Sequence, residues 1–390
     1  MNNRVKIVDY FSVHSFHEII NTALVIMCTH LFDDVQYYAG KSSIKNIKKY
    51  YYSHIGDGAS SIIFHRRPIC EANTKLGTFI RTILGFFVTI AEYIFLGKKT
   101  ILFFNYTNPL SMPLILFLNY LLKKKVVFVM HGELELQLKQ NISILKPAFW
   151  YRLFHRLSLK HLFKRNEAIL LVLGESIKSN LCDIFPAISS NIYSICHPYF
   201  MDDCIINKKQ RVLTIGTVGV MTKEKGLDSL LILSEKLSNP IKEGKLIIKA
   251  IGKVETVDVS IYRNIKWIGN KNLLPRDIFE EAIQSLDYIL YLYPSDSYKL
   301  TASGAIMDAV KFGKPILALH NDYFDYLLKN VCIGYVVNDI YEFITIINQL
   351  LKTTVEIDYS EGFNLLRNKV SIRENTILLE KILKDRMYIA

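Results

Sequence analysis

The sequence predicts an α/β protein built from two doubly wound domains. Three observations predict it. The chain has 390 residues, too many for one ordinary core. Short apolar runs alternate with longer amphipathic ones, the pattern of parallel strands joined by crossover helices. A polar, charged stretch at 199–211, "YFMDDCIINKKQR", interrupts this alternation once, and the plan then starts again. The domains are therefore expected at 1–205 and 206–370, with 371–390 a C-terminal helix that crosses back to the first domain. Half of the residues are hydrophobic and 22% are charged, a globular composition rather than a disordered one.

In the first half, strands are expected at 5–10, 35–39, 61–65, 100–105, 126–131, 168–173 and 191–196. Helical patterns fall at 17–31, 76–97, 110–122 and 147–165. In the second half, strands are expected at 212–217, 246–251, 288–293 and 315–319. Helices are expected there at 226–237, 275–285, 303–312, 340–352 and 372–385. Two apolar stretches need a check against a membrane span. The run 83–96 is too short and contains Glu92. The run 100–122 contains Asn105, Asn108, Pro109 and Pro113 and reads as strand, turn and helix. Neither is expected to cross a membrane, which leaves room for a surface-bound helix.

Charge is unevenly spread. Residues 1–200 hold 23 Lys and Arg against 12 Asp and Glu, and the remainder holds 25 against 24. The first half should therefore favour an anionic partner. The six cysteines are scattered, without a CxxC pair or metal-ligand spacing, and read as reduced thiols of a cytosolic protein. The N-terminus runs into "RVKIVDYF", a strand pattern rather than a secretory signal.

Four stretches carry candidate chemistry. In "TIGTVGVMTKEKGLDSLL" (214–231) a strand enters a loop with Gly216, Gly219, Lys223, Lys225 and Gly226. Glycines would let backbone N–H groups approach an anion and the lysines would supply charge, although the spacing fits neither a Walker loop nor GxGxxG; an ordinary strand–helix turn with solvated lysines is the plain alternative. In "LTASGAIMDAVKFGKPILAL" (300–319) Thr301 and Ser303 are candidate N-caps, and the amides of Gly304 and Ala305 would sit at the positive end of a helix. Asp308 shares a face with Gly304 and is placed to accept from two sugar hydroxyls; its plain alternative is an i+3 pair with Lys311. In "VVFVMHGELELQ" (126–137) His131 and Glu133 stand just past a strand end. There a histidine can donate to a phosphate or sugar hydroxyl, or move a proton. In "KPAFWYRLFHRLSLKHLFKR" (146–165) Arg152, Arg156 and Lys160 interleave with aromatics, which suits an anionic membrane surface; a solvated basic face is the plain alternative. No RNP, helix-turn-helix or zinc pattern supports a nucleic-acid partner.

The order and separation of these motifs resemble the GT-B glycosyltransferases, chiefly the retaining group of bacterial mannosyltransferases and capsule or O-antigen transferases (glycosyltransferase family 4-like). The residues that carry the resemblance are "GTVGVMTKEKG" (216–226), "IKWIGNKNLLPRDIFEEAIQSLDYILYLYPS" (265–295), "SGAIMDAVKFGKPILA" (303–318) and His131 in "VMHGE". It implies two Rossmann-like domains facing a cleft and a nucleotide-sugar donor held by the second domain. Lys225 matches the lysine that contacts the donor diphosphate. Ser303, Gly304 and Ala305 resemble the phosphate-facing turn, and 269–273, with Leu273, the loop beside the base. Asp308 matches the second glutamate of Glu-x7-Glu, which holds the ribose, and His131 the first-domain histidine near the donor sugar.

Two positions depart from the pattern. Gly219 stands where relatives often have an arginine, with Lys223 as the substitute cation. Leu300 stands where the first glutamate falls. The resemblance implies hexosyl transfer, with retention assisted by the leaving phosphate, to a lipid-linked or saccharide acceptor in surface-polysaccharide synthesis. It implies no metal and no further cofactor, and a cytoplasmic chain peripheral to the inner face of the membrane. Glu133, His14 and His17 are candidate acceptor contacts. Two other readings share the fold: a catalytically silent subunit that binds nucleotide or membrane, and a nucleotide-sugar epimerase using Glu133 and Asp9.

Overall fold

The computed structural model describes residues 4–14, 16–55, 62–201, 212–254, 261–269, 274–353 and 357–389. Two compact units divide the chain. Unit 1 comprises 1–200, 300–302 and 369–390; unit 2 comprises 201–299 and 303–368.

Unit 1 alternates strand and helix: β1 (Arg4–Asp9), α1 (Glu18–Leu31), β2 (Asp34–Ala39), α2 (Lys41–Ile55), β3 (Ile62–Arg66), α3 (Lys75–Ile94), β4 (Thr100–Phe104), α4 (Ser111–Leu122), β5 (Val126–Val129), α5 (Pro147–Leu157), β6 (Ile169–Val172), α6 (Glu175–Ile184) and β7 (Ile192–Ser194). The strands form one sheet in the order β3-β2-β1-β4-β5-β6-β7. Pairing is parallel throughout, with Val5 opposite Val35 on one side and Ile101 on the other. Because β1 lies between β2 and β4, the winding reverses there. The β1/β4 edge is the topological switch point, where such sheets bind ligands beyond their carboxyl ends.

The central strands β5 and β6 are buried along their whole length, as helices on both faces require. α1 is buried at every position from Ile20 to Cys28. The reason is the C-terminal helix α14 (Ile372–Asp385), which packs on α1 and adds Leu379, Ile382 and Leu383 to the unit 1 core. Ser371 caps that helix: its hydroxyl accepts from the Glu374 amide at 3.2 Å. Beyond α14, the single O–H of Tyr388 lies between the Val126 and Glu167 carbonyl oxygens, at 3.2 and 3.0 Å.

Unit 2 contains β8 (Leu213–Val218), α7 (Leu227–Lys236), α8 (Ser238–Lys242), β9 (Leu246–Ile251), β10 (Ile265–Ile268), α9 (Arg276–Gln284), β11 (Tyr288–Tyr291), α10 (Ala305–Lys311), β12 (Ile316–Leu319), α11 (Asp322–Leu327), β13 (Gly334–Val337), α12 (Ile340–Lys352) and most of α13 (Ser360–Val370). Its parallel sheet runs β10-β9-β8-β11-β12-β13, with a switch point between β8 and β11. The doubly wound α/β class read from the sequence is thus the class observed, twice over.

Three local expectations need correction. The stretch 147–165 is not one regular helix. α5 ends at Leu157 and passes into a π-helical turn over Ser158–Leu162 and a 3-10 turn over Phe163–Arg165. The apolar run that seemed too short to span a membrane belongs to a longer helix. Thr74 caps α3 by accepting from the Gly77 amide at 3.0 Å, and the helix then runs for 20 residues. By length and composition α3 is apolar enough to cross a membrane. Strands β10 and β13 were missed. Each is only four residues long, and β13 begins with Gly334, so neither gives a period-2 signal of useful length.

Candidate functional site

In unit 1 the polar residues gather past the carboxyl ends of β1, β4, β5 and β7. His131 follows β5, and its Nε2 lies 2.6 Å from the Asn105 carbonyl oxygen just past β4. A carbonyl only accepts, so Nε2 carries the proton and Nδ1 has the lone pair. Burial pushes the His131 pKa down to about 4. His131 is therefore a neutral hydrogen-bond acceptor. This corrects the donor role drawn from the sequence, because the ring's one N–H is already committed.

The His17 ring meets that of His131 edge-on, with centroids 4.5 Å apart. Burial and the neighbouring His131 and His197 hold His17 well below the usual histidine range. Burial likewise lowers His197 to about 4. Several buried polar atoms around this cluster have no protein partner: His17 Nδ1, both amide atoms of Asn105, Thr107 Oγ1, Glu133 Oε1 and His197 Nδ1. Buried polar atoms are nearly always satisfied, so such a gathering marks a place for a polar ligand. Glu133 Oε2 accepts from the His131 amide at 3.1 Å, and burial raises the Glu133 pKa to about 7.

The other acid nominated in this unit is structural. Asp9 is fully buried and accepts from the amides of Phe11 and Ser12 and from Asn21 Nδ2, at 3.1, 2.8 and 2.7 Å. It fixes the β1–α1 turn, which removes it as the second acid of an epimerase. His14 is exposed, with its ring 2.9 Å from the Glu71 carbonyl oxygen. The sequence pointed to His131 and Glu133 and named His17. It missed His197 and Asn105, which lie far from His131 in sequence and reach it only because β4, β5 and β7 end together.

In unit 2 the corresponding place is the β8/β11 switch point. Gly226 has φ +81°, and a Cβ there would lie 1.9 Å from the Leu292 carbonyl oxygen. Only glycine lets the loop after β8 lie against the chain leaving β11. Of the two readings of this loop, the hydrogen bonds of Gly219 and Gly226 favour the ordinary strand–helix turn. The Gly219 N–H donates to the Ile251 carbonyl at 2.9 Å, Gly226 N–H to Lys223 at 3.0 Å and Leu227 N–H to Thr222 at 3.1 Å. These amides are committed within the protein, which leaves the lysine side chains as the cations of this loop. Lys223 is exposed, 3.9 Å from Asp228, and Lys225 is half-buried.

After β11, Gly304 rather than Thr301 or Ser303 is the N-cap of α10, and no side chain caps the helix. Ser303 is buried with its hydroxyl 3.4 Å from that of Tyr293, and the Thr301 hydroxyl points to the Gly132 carbonyl. Both candidate caps are engaged elsewhere. The Tyr291 hydroxyl donates to the Ala305 carbonyl at 2.9 Å and so ties the start of α10 to β11.

Asp308 is buried on α10, and its Oδ1 accepts from Arg276 Nη2 at 2.7 Å. Lys311 pairs with Glu280 at 3.3 Å, and Arg276 also binds Glu280. Arg276 was missed, because its partner is 32 positions away. Leu300 is fully buried and its amide donates to Glu135 Oε2 at 2.8 Å, both within unit 1. An acid at position 300 would have to be buried next to an amide that already holds a carboxylate. Leu273 lies outside the described residues. Arg152 is half-buried and Arg156 and Lys160 are exposed on the α5 segment of unit 1. Among the described residues, no group of three His, Cys, Asp or Glu is placed to hold a metal ion.

This pairing of doubly wound units is shared with solved glycosyltransferases. Staphylococcus aureus TarM, solved as a variant with fondaparinux, α-GlcNAc-glycerol and UDP, matches over 100% of both chains with a TM-score of 0.65 at 11% identity. Anabaena HepE, solved with UDP and glucose, matches over 98% of this chain and 99% of its own, with a TM-score of 0.63 at 11% identity. WaaG, a glycosyltransferase involved in lipopolysaccharide biosynthesis, matches over 97% and 99%, with a TM-score of 0.61 at 11% identity. No protein-family model and no curated protein matches the chain. The chain therefore has the GT-B fold.

Proposed function

We propose that the protein is a glycosyltransferase that moves a sugar from a nucleotide-sugar donor to a saccharide or lipid-linked acceptor in cell-surface polysaccharide synthesis. The observation that carries this reading is the placement of chemistry at both switch points: basic side chains and a helix start in unit 2, buried polar atoms without a protein partner in unit 1. In unit 2, Lys225, with Lys223 beside it, neutralises the leaving diphosphate together with the start of α10 at Ser303, Gly304 and Ala305. Asp308, oriented by Arg276, accepts from ribose hydroxyls. In unit 1, His131 Nδ1 accepts a hydrogen bond from a sugar hydroxyl. Glu133, with a pKa near neutrality, faces the acceptor hydroxyl. Retention of configuration and a hexosyl donor are part of the proposal, as is the absence of a metal requirement. UDP-containing structures of the same fold support the donor class.

The test is a thermal-shift screen of UDP, GDP, CMP and dTDP, followed by the matching sugar nucleotides. One nucleotide is expected to raise the melting temperature, since a ligand bound only to the native state stabilises it. Lys225→Ala should abolish that shift and cut turnover by at least about tenfold, the loss of one charge-assisted contact. No shift with any nucleotide would refute the reading. Full turnover by both Lys225→Ala and Asp308→Ala would refute the site.

A further inference from the structure

We propose that the outer face of α3, α4 and the 144–157 segment is a docking surface for an anionic lipid bilayer. The argument starts from α3, which is built inside out. Its buried positions are Gly77, Arg81, Thr82, Gly85, Thr89, Glu92 and Tyr93, while Phe79 and Phe87 are 62% and 64% exposed. A helix facing water places its small and polar residues outward. α3 does the reverse.

α4 packs beside α3 and α5 beside α4. They continue the surface with Phe117, Leu121, Leu145 and Trp150, all exposed. More than half of the exposed large apolar side chains among the described residues fall within 76–157. A contiguous apolar surface of this kind marks an interaction site rather than ordinary scatter.

The charge pattern selects the occupant. Residues 76–165 hold 13 Lys and Arg against 3 Asp and Glu. One of those acids, Glu92, is buried in ion pairs with Lys6 and Arg67. Lys98, Lys99, Lys123, Lys146, Arg156 and Lys160 are exposed at the ends and flank of the apolar face. Apolar side chains ringed by cations suit the boundary between headgroups and acyl chains of an anionic bilayer. A second copy of this chain would bring the same excess of positive charge against it, which disfavours self-association. Crossing the bilayer is disfavoured too. It would tear Arg81 and Glu92 from the unit 1 interior, where the Tyr10 hydroxyl also donates to Glu92 at 2.8 Å.

The experiment is co-sedimentation of the full chain with phosphatidylcholine vesicles, with and without phosphatidylglycerol, in about 0.1 M and about 0.5 M salt. Binding should be about tenfold tighter to the anionic vesicles at the lower salt. The variant Phe79→Ser/Phe87→Ser/Phe117→Ser should lose about tenfold or more of the affinity at both salts, with an unchanged melting temperature. Arg156→Ser/Lys160→Ser should lose only the preference for anionic vesicles. As a check that needs no variant, acyl-brominated lipid should quench the exposed Trp150. Absence of wild-type binding, equal binding by the triple-serine variant, or a solution dimer dissolved by those serines would each overturn the proposal. Nucleotide shifts are read separately, so either hypothesis can fail without the other.

Discussion

Glu133 and the histidines around it titrate in opposite senses, and that opposition is measurable. Burial holds His131 and His197 at about 4 in the folded chain. Unfolded histidine titrates at about 6.5. Acidification through that window therefore protonates the unfolded chain first and destabilises the fold. Glu133 protonates near 7 when folded and near 4.5 when unfolded, so over the same window it favours the fold as pH drops. Glu133→Gln removes that offset. Between pH 8 and pH 5 its melting temperature should fall more steeply than that of the wild type, by an amount equivalent to roughly 2 kcal/mol. Parallel melting curves would mean that the Glu133 carboxyl is not buried as described. At this scale His131 was legible, because a histidine just past an apolar strand stands at a carboxyl end. Its hydrogen-bonding state was not legible, because the Asn105 carbonyl that fixes the tautomer belongs to another strand.

The loops that end β8 and β11 have to fit each other at the scale of elements. Gly226 lies against Leu292, with no room for a side chain and with φ in the left-handed region. Gly226→Ala should cost about 2–4 kcal/mol, read as a lower urea midpoint with an unchanged slope. A loss under about 0.5 kcal/mol would show that the loop relaxes freely. The sequence marked this stretch by its glycines and left two tasks open, an anion cradle or a plain turn. Spacing alone does not distinguish a glycine that bares its amide to a ligand from one that permits close chain approach; the Gly219, Gly226 and Leu227 hydrogen bonds show the second. The helices at 340–352 and 372–385 were legible to the residue. Asp339 and Ser371 are strong N-caps, followed by a regular apolar period.

At the scale of the whole molecule, unit 1 is not a continuous piece of sequence. α14 covers α1, and the Tyr388 hydroxyl also accepts from the Val126 amide at 3.1 Å, next to the middle of the sheet. Truncation after Val370 should therefore unfold or loosen unit 1 and spare unit 2. Amide hydrogen exchange would show lost protection in β1, β4 and β5 with β8, β9 and β11 unchanged. Equal loss in both units, or in neither, would contradict this division of the fold.

The class of the fold, the interruption near residue 200, the basic excess of the first half and the stretches at the strand ends are all readable from the chain's own residues. Those features follow from local periodicity, composition and turn chemistry, which neighbouring residues encode. What each group in those stretches does is set by the assembled fold. It committed the His131 proton to Asn105, paired Asp308 with Arg276, consumed the glycine amides and turned the aromatic side of α3 outward. Hydrogen-bond saturation, ion pairing and burial depend on residues distant in sequence that meet only when the sheets are assembled.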